Sequence, residues 1–172
     1  MIREFRANPG EHQNVPLRIS EASSDVRLFV AIRAEWRRIL NTLTVPEYMD
    51  LWLTMPGIER LECRPEKNSS GRFRIDASGA GTPSMTIYGS CIRTRPDEIS
   101  YLWEEARNGS VEKSVVKMRL KSGPRRCSLH LMHAGLWTQT DSQWYSIMWR
   151  ESLDKLCALM ECRPLRVACE TS

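Results

Sequence analysis

The stretch from Asp141 to Met160 constrains the fold more than any other part of the chain. Tyr145, Trp149, Leu153, Leu156 and Met160 recur at spacings of four, four, three and four, which lays one apolar stripe along a helix. Arg150, Glu151, Asp154 and Lys155 fall between them, so the opposite face is wet. Asp141 or Ser142 is expected to cap the first turn, because its side-chain oxygen can accept a backbone N–H that the helix leaves unpaired. A helix of roughly five turns needs a partner surface of similar length to bury its stripe, and the chain before it reads mostly as strands.

A length of 172 residues with 41% apolar content is enough for one domain with its own core. The net charge of +4, from 25 basic and 21 acidic residues, is too slight for a dedicated nucleic-acid binder. No apolar run reaches bilayer-spanning length, and Met1-Ile-Arg-Glu-Phe-Arg-Ala-Asn-Pro9 lacks the apolar core of a signal peptide. The expectation is a cytoplasmic protein without membrane insertion. Six cysteines, at 63, 91, 127, 157, 162 and 169, form no Cys-x-x-Cys pair, so reduced thiols are expected.

Residues 1–23 carry few apolar side chains and read as a flexible arm; 24–161 read as the domain and 162–172 as a tail. Val26-Arg-Leu-Phe-Val-Ala-Ile-Arg33 alternates as a strand. Trp36, Ile39, Leu40 and Leu43 give a short amphipathic helix that Val45-Pro46 stops. Thr44-Val-Pro-Glu47 has capping-box spacing, with Thr44 as cap of a second helix, which Met55-Pro56-Gly57 closes and near whose end Trp52 lies. Strands follow at 58–64, 72–76, 84–93, 98–105, 111–121 and 125–134, separated by turns that include Gly79-Ala-Gly-Thr-Pro83, Thr94-Arg-Pro-Asp97 and Asn108-Gly109. A twisted antiparallel sheet of six or seven strands can curl around the long helix, with the two short helices plugging one end, an α+β arrangement in which a cavity is expected between sheet and helix.

Four pieces of this pattern carry a family resemblance. Glu35-Trp36 through Leu43-Thr-Val-Pro-Glu47 to Trp52 resembles the first motif of the SRPBCC (START-like) helix-grip superfamily; Gly71-Arg-Phe-Arg74 resembles its "G-x-F-R" strand. Met132-His-Ala-Gly-Leu136 resembles "T-H-x-G-F", and Trp149, Leu153 and Leu156 resemble the "W-x-x-x-L-x-x-L" of its final helix. The nearest branch looks like bacterial proteins similar to the C-terminal domain of the activator of the ninety-kilodalton heat-shock chaperone's ATPase. The resemblance implies the helix-grip fold, and it implies three functional classes: binding of a hydrophobic ligand or lipid, a chaperone-activator-like interaction module, or a polyketide-cyclase-like or hydratase-type enzyme. The sequence departs from the pattern at Ser128, His130 and Met132, where threonines are usual, and at Ser70-Gly71, where Gly-Gly is frequent.

His130 and His133 are three apart on a strand and so face opposite ways, which rules out a shared metal ion; no cofactor is called for. No Ser-His-Asp set, phosphate loop or facing carboxylate pair is visible, and the stripe Lys117, Arg119, Lys121 reads as a solvated face. The candidate ligand-lining residues are Trp52, Met85, Ile87, Tyr101, Trp103, Met118, His133, Tyr145 and Met148. Each also fits a plain core role, the bland reading being favoured for the aromatics and for His133, although methionines suit a cavity that accepts varied guests. The expected function is binding of a small apolar or aromatic molecule without catalysis. A chaperone-type protein partner ranks second, and an enzyme using Tyr101 or His133 as acid or base third; a homodimer is also compatible with the sequence.

Overall fold

The computed structural model describes residues 25–67, 71–107, 110–123 and 126–161; the arm, the Asn108-Gly109 turn and the tail with Cys162 and Cys169 lie outside them. The chain runs β1 (Val26–Ile32), α1 (Trp36–Thr44), α2 (Pro46–Trp52), β2 (Arg60–Pro65), β3 (Arg72–Gly79), β4 (Thr82–Arg95), β5 (Glu98–Arg107), β6 (Ser110–Ser122), β7 (Cys127–Ala134) and α3 (Gln139–Glu161). The strands make one antiparallel sheet in the order β1-β7-β6-β5-β4-β3-β2. Every connection but one joins neighbours, and β1 returns to pair with β7 only after the chain has crossed the sheet. The helix-grip architecture read from the sequence is therefore present. Among the described residues, no helix is long and apolar enough to cross a membrane.

Alternation decides what the sheet turns inward. On β5 Ile99, Tyr101 and Trp103 are buried, on β6 Val116, Met118 and Leu120, and on β7 Cys127, Leu129, Leu131 and His133. They meet the buried stripe of α3, in which Tyr145, Trp149, Leu153, Leu156 and Met160 are joined by Met148 and Ser152. Lys117, Arg119 and Lys121 point outward and are exposed, as their alternation requires.

Two helix starts differ from expectation, both in their caps. Thr44 does not cap α2: its hydroxyl turns back and donates to the Leu40 carbonyl at 2.9 Å. Val45 holds the cap position instead, with an extended backbone (φ −93°, ψ 115°) and no side-chain cap bond. Proline imposes this, because the residue before Pro46 is pushed out of the helical region and Pro46 itself suits the first helical position. A reciprocal pair occurs at α3, which begins two residues earlier than Asp141. Thr138 Oγ1 accepts the Asp141 N–H at 3.0 Å, while Asp141 Oδ2 accepts the Thr138 N–H at 3.1 Å and its hydroxyl at 2.7 Å. Thr138 thus takes the capping role expected of Asp141 or Ser142, and Asp141 completes the box from the third helical position.

One glycine is required by close approach. A Cβ on Gly89 of β4 would lie 2.0 Å from Cζ of Phe73, so the bare backbone of β4 makes room for the Phe73 ring. Gly135, at φ 81°, turns the chain from β7 toward α3 in a conformation that costs other residues strain.

Candidate functional site

The interior between sheet and α3 is a continuous set of rings. Trp52 stacks on Trp149 with centroids 6.5 Å apart, and Trp149 meets Trp103 at 5.8 Å. Phe73 joins Trp103 at 6.3 Å and Tyr101 at 5.8 Å. His133 lies edge-on to Tyr145 at 4.4 Å and to Trp149 at 6.0 Å. Of the nine candidate lining residues, Trp52, Tyr101, Trp103, His133 and Tyr145 belong to this set. Ile87, Met118 and Met148 are fully buried in the same core, while Met85 sits at its edge, half-buried, beside β2 and β3.

Two hydrogen-bonded chains run through one end of these rings. Trp149 Nε1 lies 3.0 Å from His133 Nδ1. An indole nitrogen can only donate, so Nδ1 must accept and the proton of the neutral imidazole must sit on Nε2. That nitrogen is 2.8 Å from Ser114 Oγ, which therefore accepts. Protonating Nδ1 would break the Trp149 bond, and burial independently pushes the His133 pKa down to about 3. In the second chain Trp103 Nε1 donates to the Tyr145 hydroxyl at 3.1 Å, and that hydroxyl donates to Glu105 Oε2 at 2.8 Å. Glu105 is only 4% exposed.

The other polar tips near the rings are also bonded within the fold. Trp52 Nε1 donates to the Thr42 carbonyl at 3.2 Å, and the Tyr101 hydroxyl donates to the Leu43 carbonyl. Burial raises the Tyr101 phenol well above its usual pKa. Among the described residues no buried side-chain nitrogen or oxygen lacks a partner. Buried thiols are chemically quiet: Cys63, against the sulfur of Met49 at 3.6 Å, is pushed up to about 12 by burial.

At this polar end, between the first turns of α3 and the start of β6, a recess is lined by Glu105, Glu112, Ser114, Leu136, Trp137, Asp141 and Tyr145. Its volume of about 10 Å³ is room for about one water molecule. Trp137 stands at its rim, 64% exposed. Larger depressions lie elsewhere among the described residues, including one over the outer face of β1, β7 and β6, one along β2 to β4 and one on the outer face of α3.

Glu105 and Ser114 are the site residues that the sequence reading passed over. The alternation that places Ile99, Tyr101 and Trp103 inward places Glu105 inward too, and counting back from Leu120, Met118 and Val116 gives Ser114. Period was the available signal. Polarity hid it, because a charged residue near a strand end reads as solvent-facing. His130 and His133 point to opposite faces as expected, His130 being exposed and His133 buried.

The sequence signature of the family described as "Activator of Hsp90 ATPase homolog 1-like protein" matches residues 33–161. Solved structures share the fold at low identity. A protein from Chromobacterium violaceum superposes with a TM-score of 0.67 at 17% identity, covering 80% of this chain and 97% of that one. A START superfamily protein from Mycobacterium smegmatis gives 0.62 at 13%, covering 80% and 97%. CalU16 from Micromonospora echinospora gives 0.56 at 18%, covering 81% and 76%. No curated protein matches the sequence. With its signature match across most of the chain, the protein belongs to the Activator of Hsp90 ATPase homolog 1-like family, and it shares its fold with the START superfamily protein from Mycobacterium smegmatis.

Proposed function

We propose that the protein holds a small apolar or aromatic molecule between the curved sheet and α3, received at the recess beside Tyr145, and releases it unchanged. The observation that carries this reading is the placement of the recess. It joins the exposed Trp137 at the surface to Tyr145 and Glu105, whose hydrogen-bonded chain leads straight to the interior rings. Rings fill the middle of the grip, so a guest larger than water has to displace Leu136 or Tyr145 rather than drop into an open space. Aromatic walls with a few polar groups at one end are what a small-molecule site offers.

The interior histidine and tyrosine support binding over turnover. A His133 held neutral down to about pH 3 is a poor proton acceptor at neutral pH, and Tyr101 is committed to the Leu43 carbonyl. A fluorescence displacement screen with an apolar dye, followed by product analysis on every hit, tests the reading. Saturable binding without product is expected. His133→Phe and Tyr101→Phe should each change affinity by no more than about 0.5–1.5 kcal/mol, the range of ordinary hydrogen bonds.

One observation favours an enzyme as the second reading: Glu105 and Tyr145 are hydrogen-bonded to each other and both line the recess. Formation of product that disappears in Glu105→Gln would establish that reading in place of the first.

A further inference from the structure

The sheet is open, so it has two edges, and they are finished differently. The β2 edge is closed off. Its Cys63 N–H is taken by Asp50 Oδ1 of α2 at 2.6 Å, it carries Arg60, Glu62 and Arg64, and it ends on Pro65. These are the devices that keep a strand from pairing further.

The β1 edge has fewer of them: Arg27 is its one charged side chain. Val26–Ile32 contains no proline or glycine, pairs with β7 residue for residue without a bulge, and among the described residues no side chain is bonded to its free edge. The nearest such contact, Arg33 N–H to Glu161 Oε1 at 2.9 Å, lies just past its end. Phe29 is 60% exposed on the outer face. On the inner face Leu28 and Val30 are only half-buried, although their partners across the ladder, Leu131 and Leu129, are fully buried. A cover on the edge side is what these two residues lack.

We infer that β1 is a homodimer interface, in which two copies align their β1 strands antiparallel about a two-fold axis at Phe29 and join the two sheets into one. The sequence of this edge is complementary to itself. With Phe29 opposite Phe29, Leu28 faces Val30, Val26 faces Ile32, Arg27 faces Ala31, and Asp25 faces Arg33 of the other copy; each pair occurs twice. Opposite charges directly across a ladder attract, and like charges repel. Keeping inner faces on one side allows shifts of two residues only. A shift one way sets Arg27 against Arg33, and the other way sets Asp25 against Ala31, so charge selects the Phe29 register. In the single chain Asp25 is 3.4 Å from Arg27, close enough to serve both cations. The pairing would cover Leu28 and Val30 and satisfy the exposed backbone row. This inference is independent of the ligand-binding reading.

Sedimentation and native mass spectrometry of the full chain, together with a charge swap, test it. Wild type should dimerise. Asp25→Arg alone and Arg33→Asp alone should each weaken the dimer by about tenfold or more, since two attractive pairs become repulsive. The double variant Asp25→Arg/Arg33→Asp should recover to within about threefold of wild type, as a coupled pair does in a double-mutant cycle. A monomer at all concentrations, as when another segment covers the edge, would overturn the inference. So would a dimer indifferent to the single changes, or one that the double variant fails to restore.

Discussion

The two ends of the space between sheet and helix are held by different forces. At one end Trp52 stacks on Trp149, and Phe73 meets Trp103, which meets Trp149 in turn; the stability of this end comes from buried area and packing. At the other, His133, Ser114, Tyr145 and Glu105 are joined to Trp149 and Trp103 by directional hydrogen bonds, each donor matched to one acceptor. Trp149 and Trp103 belong to both. The contrast coincides with the position of the recess, which lies at the hydrogen-bonded end. It also means that damage at the ring end should scale with volume, while damage at the polar end should depend on which partner is orphaned.

The largest expected effect is at the shared residue. Trp149→Ala empties a fully buried ring site and should cost on the order of 3–5 kcal/mol, with the loss of the His133 partner added to it. Denaturant unfolding measures this; a loss below about 1 kcal/mol, well under the core-cavity range, would mean that α3 is anchored by other contacts.

Acid should act on the polar end next. The folded His133 pKa of about 3 lies below the ordinary value of 6.5, so the unfolded chain binds more protons between those limits. Stability contributed by the neutral ring is full above about pH 6.5 and is lost as the pH falls toward 3, by up to about 1.4 kcal/mol per unit. His133→Phe should flatten that part of the stability profile, and an unchanged slope would assign acid sensitivity to the carboxylates.

Gly89→Ala probes the ring end from behind. Overpacking against Phe73 should cost about 1–3 kcal/mol, read as a lower thermal midpoint; the further change Phe73→Leu should recover part of it. A smaller difference separates two tyrosines. Tyr145→Phe orphans the Trp103 indole N–H and takes one donor from Glu105, while Tyr101→Phe orphans one carbonyl. Each orphaned buried group costs about 1–3 kcal/mol, so Tyr145→Phe should be the more damaging of the pair in parallel unfolding measurements. Removing residues 1–23 should change stability least, because their composition offers little apolar area to bury; a truncated chain that no longer unfolds cooperatively would contradict this.

What could be read from the sequence follows from the kind of force involved. The α3 stripe, the strand alternation and the family motifs were legible because burial imposes a period, and all five stripe residues are buried as expected. The caps were read less well. Capping depends on one residue's backbone angles, so Pro46 could move the α2 cap to Val45 and the 138–141 pair could take over at α3. The polar end was the least legible. A plain core role is the favoured sequence reading for His133, but alternation names no partners for it; they are the side chains of Ser114 and Trp149. Pairings between residues 16 and 19 positions apart depend on tertiary register, which no local pattern encodes.

The central claim is that the recess end of the grip receives a small molecule. Titration of an apolar fluorescent dye into wild type and into Glu112→Trp, whose ring would fill the mouth of the recess, tests it most directly. The account predicts saturable binding of one dye per chain in wild type, weakened by about tenfold or more in the variant, about the 1.4 kcal/mol of a blocked contact, with the variant's fold unchanged by circular dichroism. No saturable binding, or equal affinity in both proteins, would contradict it.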